Sequence, residues 1–284
     1  MRAALSPMLV HLAARRATGA LLRGSGTLYL RDGDVVHAES PVSPGLDVLL
    51  TLGGRLPAEG WREAVERAGA RRQVARFLVD NGRLTRGELE VYHLGALYDA
   101  AFFALAPGSG PARFRSGLSH WLGPVRPVPA EDLQREVLRR RRLLEDLWPH
   151  PEVDAAPVVR SRQAVLPAPT RRQRALLELA DGTRTPADIA RRLGRPAFHV
   201  LIDVRRLAAA GHVQTPAPGP ASSSRPPAFP DSPDSPDSPD SADSPTSGAA
   251  PPPSPVSAAR LPEVSADPDI ALLLRIRDAL EARL

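Results

Sequence analysis

The side chains best placed to do chemistry are the arginines between Thr170 and Thr215. Nine of them (Arg171, Arg172, Arg174, Arg184, Arg191, Arg192, Arg195, Arg205 and Arg206) stand against Glu178, Asp181, Asp188 and Asp203, a net of +5 that equals the charge of the whole chain. Guanidinium groups grip phosphate with paired N–H donors and gain affinity by releasing counterions. The chemistry expected is therefore non-covalent contact with DNA. Arg195, His199 and Arg206 would reach bases or phosphates from one helix, Arg171, Arg172 and Arg174 would hold the backbone from another, and Arg191 and Arg192 would support them. Asp203 is expected on the same outer face, where a carboxylate accepts from cytosine N4 but repels phosphate. All 37 basic residues are Arg and 32 residues are Pro, the bias of a GC-rich coding sequence, so the location of charge carries more weight than its total.

Covalent chemistry finds little to work with. The chain has no Cys, which removes disulfides, zinc-thiolate sites and thiol nucleophiles. It has no Lys either, so a Walker-type phosphate loop, a kinase strand lysine and a Schiff base are all ruled out. The seven His, at 11, 37, 93, 120, 150, 199 and 212, show no two-ligand helical spacing, and a metal site would require convergence in space. His37 lies on an expected strand and reads as a surface or packing residue. Gly24-Ser25-Gly26 reads as a hairpin turn rather than a nucleophile elbow. Trp121 and Trp148 read as packing anchors. The expectation is a protein without catalysis, cofactor or metal.

The elements that would position the arginines are plainly punctuated. Thr185, Pro186 and Asp188 make a capping box with proline at the first helical position, Gly194 ends that helix, and Pro196 starts the next. Phe198, Leu201, Val204, Leu207 and Ala208 recur at helical spacing, which points Arg195, His199 and Arg206 outward. Gly211 stops the helix, and His212 to Thr215 reads as the first strand of a winged-helix domain. The PAPGP that follows offers it no second strand. Residues 170–215 thus read as a winged helix-turn-helix domain that enters the major groove.

Upstream, TGALLR, TLYLR and VVHAES alternate around a Gly24-Ser25-Gly26 turn and an Asp32-Gly33-Asp34 turn, a small antiparallel meander. GLDVLLTL from Gly45 and a long stretch from Trp61 to Leu105 are helical, with a break at Asn81-Gly82 and a second capping box at Thr85–Glu88. RFRSG after the turn at 107–111 reads as a returning strand. The segments TGALLRGSGTLYLRDGDVVHAES, LDVLLTLGGRL, FLVDNGRLTRGELE, LYDAAFFAL and ARFRSG together resemble the PATAN family of bacterial signalling domains. The shared features are a hairpin carried by Gly26, Leu28, Gly33, Val35 and Ala38, and a helix start running from Gly82 to Leu89. The resemblance spans residues 5–120. It implies a small antiparallel sheet interrupted by a helical insert, and a regulatory adaptor that binds a signalling protein instead of catalysing a reaction.

Residues 130–148 read as a connecting helix with an apolar stripe of Leu133, Val137, Leu144, Leu147 and Trp148. Its four-Arg run is matched by acids, with Arg141/Glu145 and Arg142/Asp146 as i,i+4 pairs. Prolines at 149 and 151 open an expected linker over 149–169. Residues 216–265, rich in Pro, Ser and Asp with a DSP repeat, lack the apolar surface to offset their ordering entropy and read as disordered. Residues 267–284 read as a terminal amphipathic helix. No window approaches the apolar length of a membrane span, and no signal-peptide pattern opens the chain, so a cytoplasmic location is expected. The fold class expected is α+β, followed by a mainly α winged-helix domain and a disordered tail. Its leading function is transcriptional regulation, with partner binding at the first domain controlling DNA binding at the second. The rival is a signalling adaptor or scaffold that never touches DNA. The oligomeric state is open.

Overall fold

Alternating apolar residues in three consecutive runs build the centre of the fold. In the computed structural model, which describes residues 6–108, 110–161 and 168–214, these runs are β1 (Gly19–Arg23), β2 (Gly26–Arg31) and β3 (Asp34–Glu39). Asp32 and Gly33 both take positive φ, 53° and 91°, which matches a two-residue hairpin turn to the right-handed twist of its strands. The expected returning strand is β4 (Arg113–Ser116), and the sheet is antiparallel throughout in the order β3-β2-β1-β4. Leu21, Leu28, Leu30 and Val35 are buried on its inner side.

Between β3 and β4 comes the helical insert: α2 (Leu46–Leu52), α3 (Ala58–Ala68), α4 (Val74–Asp80) and α5 (Arg86–Ala104). The Thr85–Glu88 capping box forms, and α5 lies across β2 and β3. One break was not anticipated: α3 stops at Gly69 and the chain turns through Arg72 at φ 55° before α4. A further helix, α1 (Pro7–Ala14), begins at Ser6, whose hydroxyl accepts from the Leu9 amide, and it packs beside the long helix α6 (Ala130–Leu147). The four-Arg run on α6 is not paired as expected. Arg139 and Arg140 both bond Glu136, while Arg141 donates to the Leu105 carbonyl at 2.6 Å, because its side chain lies against α5 and not along its own helix.

The remaining described residues form α7 (Arg171–Leu179), α8 (Pro186–Leu193) and α9 (Ala197–Ala209). Capping boxes at Thr170–Gln173 and Thr185–Asp188 and the left-handed Gly194 bound them. A Cβ on Gly194 would fall 2.5 Å from Leu52 Cβ, so this turn needs glycine both for its φ of 61° and for its contact with α2. Two expectations are corrected. Residues 149–161 are not a free linker: a 3-10 turn over Pro151–Asp154 and a strand, β5 (Val159–Arg160), bury Val153 and Val158 in the α7–α9 core. That strand also pairs with β6 (Val213–Gln214), which therefore has a partner from before α7 rather than from beyond Thr215. The segments 5–120, 130–148 and 170–215, expected to be separate, share one compact unit as far as they are described, with Phe102, Phe103, Leu144, Phe198 and Leu201 packed together. The expected disordered stretch 216–265 and terminal helix 267–284 lie outside the described residues.

The junction is sealed by Asp99 of α5, which is fully buried. Its two oxygens accept from the Ala197 and Phe198 amides, at 2.8 and 2.7 Å, so the first orphan donors of α9 are satisfied by a carboxylate from another part of the chain. Burial pushes the Asp99 pKa up to about 6, against the downward pull of the two amides and Arg140. Because that folded value exceeds the ordinary 3.8, the preference for the fold is full below 3.8 and is lost as pH rises through about 6. Asp99→Ala should cost about 2–4 kcal/mol in urea denaturation by stranding two buried amides. Asp99→Asn, which keeps one acceptor, should cost less and remove this contribution to the pH profile between about pH 4 and 6.

Candidate functional site

The arginines expected to face DNA are divided between the interior and the surface. Arg195 is 6 % exposed, and its guanidinium donates to Asp203 Oδ2 at 2.7 Å, while Arg172 donates to Asp203 Oδ1 at 3.0 Å. Asp203 is therefore an interior carboxylate held between two cations, and neither it nor Arg195 lies on an outer face as the helical spacing suggested. The reason is that α9 is buried on nearly every side, by α8 on one flank and by α5, α6 and the 3-10 turn on others. Arg205 is buried too. It forks onto Asp154 at 2.9 and 2.6 Å and donates to the Leu144 and Trp148 carbonyls, closing the end of α6. Arg184 pairs with Asp181, and Arg191 binds Asp188 and the Pro41 carbonyl. His199 is half-buried. Arg171, Arg174, Arg192 and Arg206 are exposed.

The structure instead gathers histidines that are far apart in sequence. His37 and Glu39 alternate on β3 and so share a face, His93 comes from α5, and His120 from the segment after β4. The His37 and His120 rings stack with centroids 3.9 Å apart, and His37 stacks on His93 at 5.5 Å. Tyr29 donates to Glu39 Oε2 at 2.9 Å, and His120 Nε2 meets Glu39 Oε1 at 2.9 Å. The Leu122 amide donates to His120 Nδ1 at 3.2 Å, so the Nε2 nitrogen carries the proton and donates to the carboxylate. Bonding to His120 holds the Glu39 pKa below its ordinary value, against its own burial. Burial, with the neighbouring imidazoles, pushes His37 well below 6.5. His93 falls to about 4, chiefly by burial, although its Nε2 faces the Val36 carbonyl at 3.0 Å.

Ligand atoms of His37, Glu39 and His120 lie within 4.8 Å of one another, the convergence that sequence spacing did not reveal. Their geometry does not suit a shared ion. The two ring planes are only 23° apart, so their in-plane lone pairs run side by side instead of converging. What the cluster builds is one wall of a cleft of about 180 Å³. Its other walls are Trp61 of α3, Trp121, and Ser43 to Asp47 at the start of α2, over a floor of Ala38, Ala96 and Ala100. The signal available in the sequence was His37-Ala38-Glu39 on a strand; nothing marked His93 or His120.

Histidines kept neutral by burial act on stability in a definite direction. With a folded pKa of about 4 against 6.5, His93 contributes fully above pH 6.5 and loses that contribution as pH falls toward 4. Over that window the loss should be on the order of 3 kcal/mol. His93→Gln should make the fall in denaturation midpoint between about pH 6.5 and 4 visibly shallower; an unchanged slope would remove His93 from the account.

No protein-family model, no curated protein and no solved structure matches this chain.

Proposed function

We propose that this chain is a cytoplasmic, non-enzymatic signalling adaptor that acts through protein contacts, with its PATAN-like portion carrying the docking face and its winged-helix-like portion serving as structural support. The observation that carries this reading is the plug at the start of α9. In DNA-reading helix-turn-helix proteins the N-terminal residues of the second helix contact base edges. Here the first-turn amides of that helix, those of Ala197 and Phe198, are bonded to Asp99, and a buried carboxylate at that position is electrostatically opposed to phosphate. Arg195 and Arg172 are spent on Asp203, and Arg205 on Asp154, so three of the nine arginines of this region are taken up by internal structure. No helix among the described residues is long and apolar enough to cross a membrane.

The DNA-binding alternative makes an opposite demand on the full chain. A basic reader loses about 10³–10⁵ in affinity between roughly 50 and 200 mM salt. Fluorescence anisotropy with a random duplex should show no such binding at low salt, and Arg192→Ala and Arg206→Ala should change nothing. In-cell crosslinking followed by nuclease digestion should leave discrete protein adducts. Tight, steeply salt-dependent binding that weakens in Arg206→Ala, or adducts that vanish with nuclease, would overturn the adaptor reading.

A further inference from the structure

The cleft beside the histidine cluster combines two features: flat aromatic surface and carboxylates that hold no arginine among the described residues. Trp61 and Trp121 meet edge to face, centroids 5.9 Å apart at 75°, and Trp121 is 38 % exposed, one of the few large apolar side chains left at the surface among the described residues. The Glu39 side chain is 47 % exposed, and its oxygens accept from Tyr29 and His120, with no arginine paired to it among the described residues. Each oxygen keeps a lone pair for another donor. Asp47, also in the lining, is exposed, and its carboxylate makes no hydrogen bond or ion pair among the described residues. This contrasts with Glu63, Glu88, Glu90, Glu136 and Asp203, each of which already holds an arginine.

We infer that this cleft binds the side chain of an arginine presented by a peptide segment of a partner protein, with the guanidinium laid against Trp121 and forked onto Glu39 and Asp47. This rests on the adaptor reading for its setting and names the chemistry of the docking face. A cation over an indole face gains electrostatically from the ring quadrupole, and carboxylates alongside add charge-assisted hydrogen bonds. A guanidinium fits both: it is planar, weakly hydrated, and offers paired N–H donors to each carboxylate, whereas an ammonium is a compact, strongly hydrated point charge. The lining excludes the competing classes. Two carboxylates repel phosphates and acidic peptides, and a small floor of alanines gives depth without room for a large apolar anchor. The neutral imidazoles of His37 and His93 add no positive charge to oppose the guest.

The test uses the full chain labelled at its indole nitrogens and titrated with N-acetyl-arginine methylamide, alongside the lysine, trimethyl-lysine and glutamine analogues. Saturable shifts of the Trp61 and Trp121 indole N–H signals, with Trp148 unmoved, are expected for arginine and not for glutamine. Asp47→Asn, at an exposed side chain that makes no hydrogen bond or ion pair among the described residues, and Glu39→Gln should each weaken binding about 5-fold to 30-fold. Trp121→Ala should abolish the shift at Trp61. Absent shifts, equal shifts with the glutamine analogue, or Asp47→Asn and Glu39→Gln both binding like the parent would overturn the site. Tighter binding of lysine or trimethyl-lysine would overturn its assignment to arginine. DNA binding by the same preparation bears only on the adaptor reading, so the two can fail separately.

Discussion

A buried carboxylate that accepts the first two amides of a helix is the constraint on which the rest of this structure turns. Asp99 lies within α5, the helix that also covers the sheet, and its partners lie a hundred residues on, at the start of α9. Placing a carboxylate where no water reaches it is expensive, and only directed donors offset that cost. The amides of α9 and its positive end supply them, and Arg140, stacked 4.6 Å over the Phe198 ring, lends a nearby positive charge. Once that contact is made, Phe198 and Leu201 are committed to the apolar cluster with Phe102 and Phe103, and α9 cannot present its first turn to anything else.

The arginines extend the same logic. With no lysine in the chain, every cation is a rigid fork able to bridge distant elements, and several are used that way. Arg205 ties α9 to the 3-10 turn and to the end of α6, Arg195 and Arg172 hold Asp203 between α7 and α9, and Arg55 grips Glu88 at the capping box of α5. Buried pairs of this kind add little net stability over apolar packing, yet removing one partner strands a charge. They fix which helix faces which. A count of positive charge along the sequence therefore overstates the charge available to a phosphate.

Local signals were legible and long-range ones were not. The Asp32-Gly33 turn, the capping boxes at Thr85 and Thr185 and the glycine stop at 194 are written in neighbouring residues, and each forms. The apolar spacing of Phe198, Leu201, Val204 and Leu207 gave one buried face of α9. It could not show that the opposite face, with Asp203 and Arg205, is buried as well, because polar residues read as exposed until their partners are known. Likewise β5 is only two residues long, too short for any period to register, and its pairing with β6 joins Val159 to Gln214 across three helices. The histidine cluster is the extreme case: its members come from a strand, a helix and a loop, and only topology brings them together.

That topology also decides what kind of guest the cleft can recruit. From Met1 to Gln214 the chain holds 32 arginines against 22 acidic residues, so its far field is positive, while the proposed site offers carboxylates only at contact range. Charges beyond about 8–10 Å are screened at physiological salt, so the surrounding arginines weaken the approach of a cation more than its final contact. A polybasic segment is opposed by the arginines that lie within that range of the cleft. An arginine set among neutral or acidic neighbours is not, and its planar charge meets Glu39 and Asp47 where water is already partly excluded. The arrangement thus selects against the basic tracts that a carboxylate-lined cleft would attract on a neutral protein, and favours a single arginine in an otherwise uncharged or acidic partner surface.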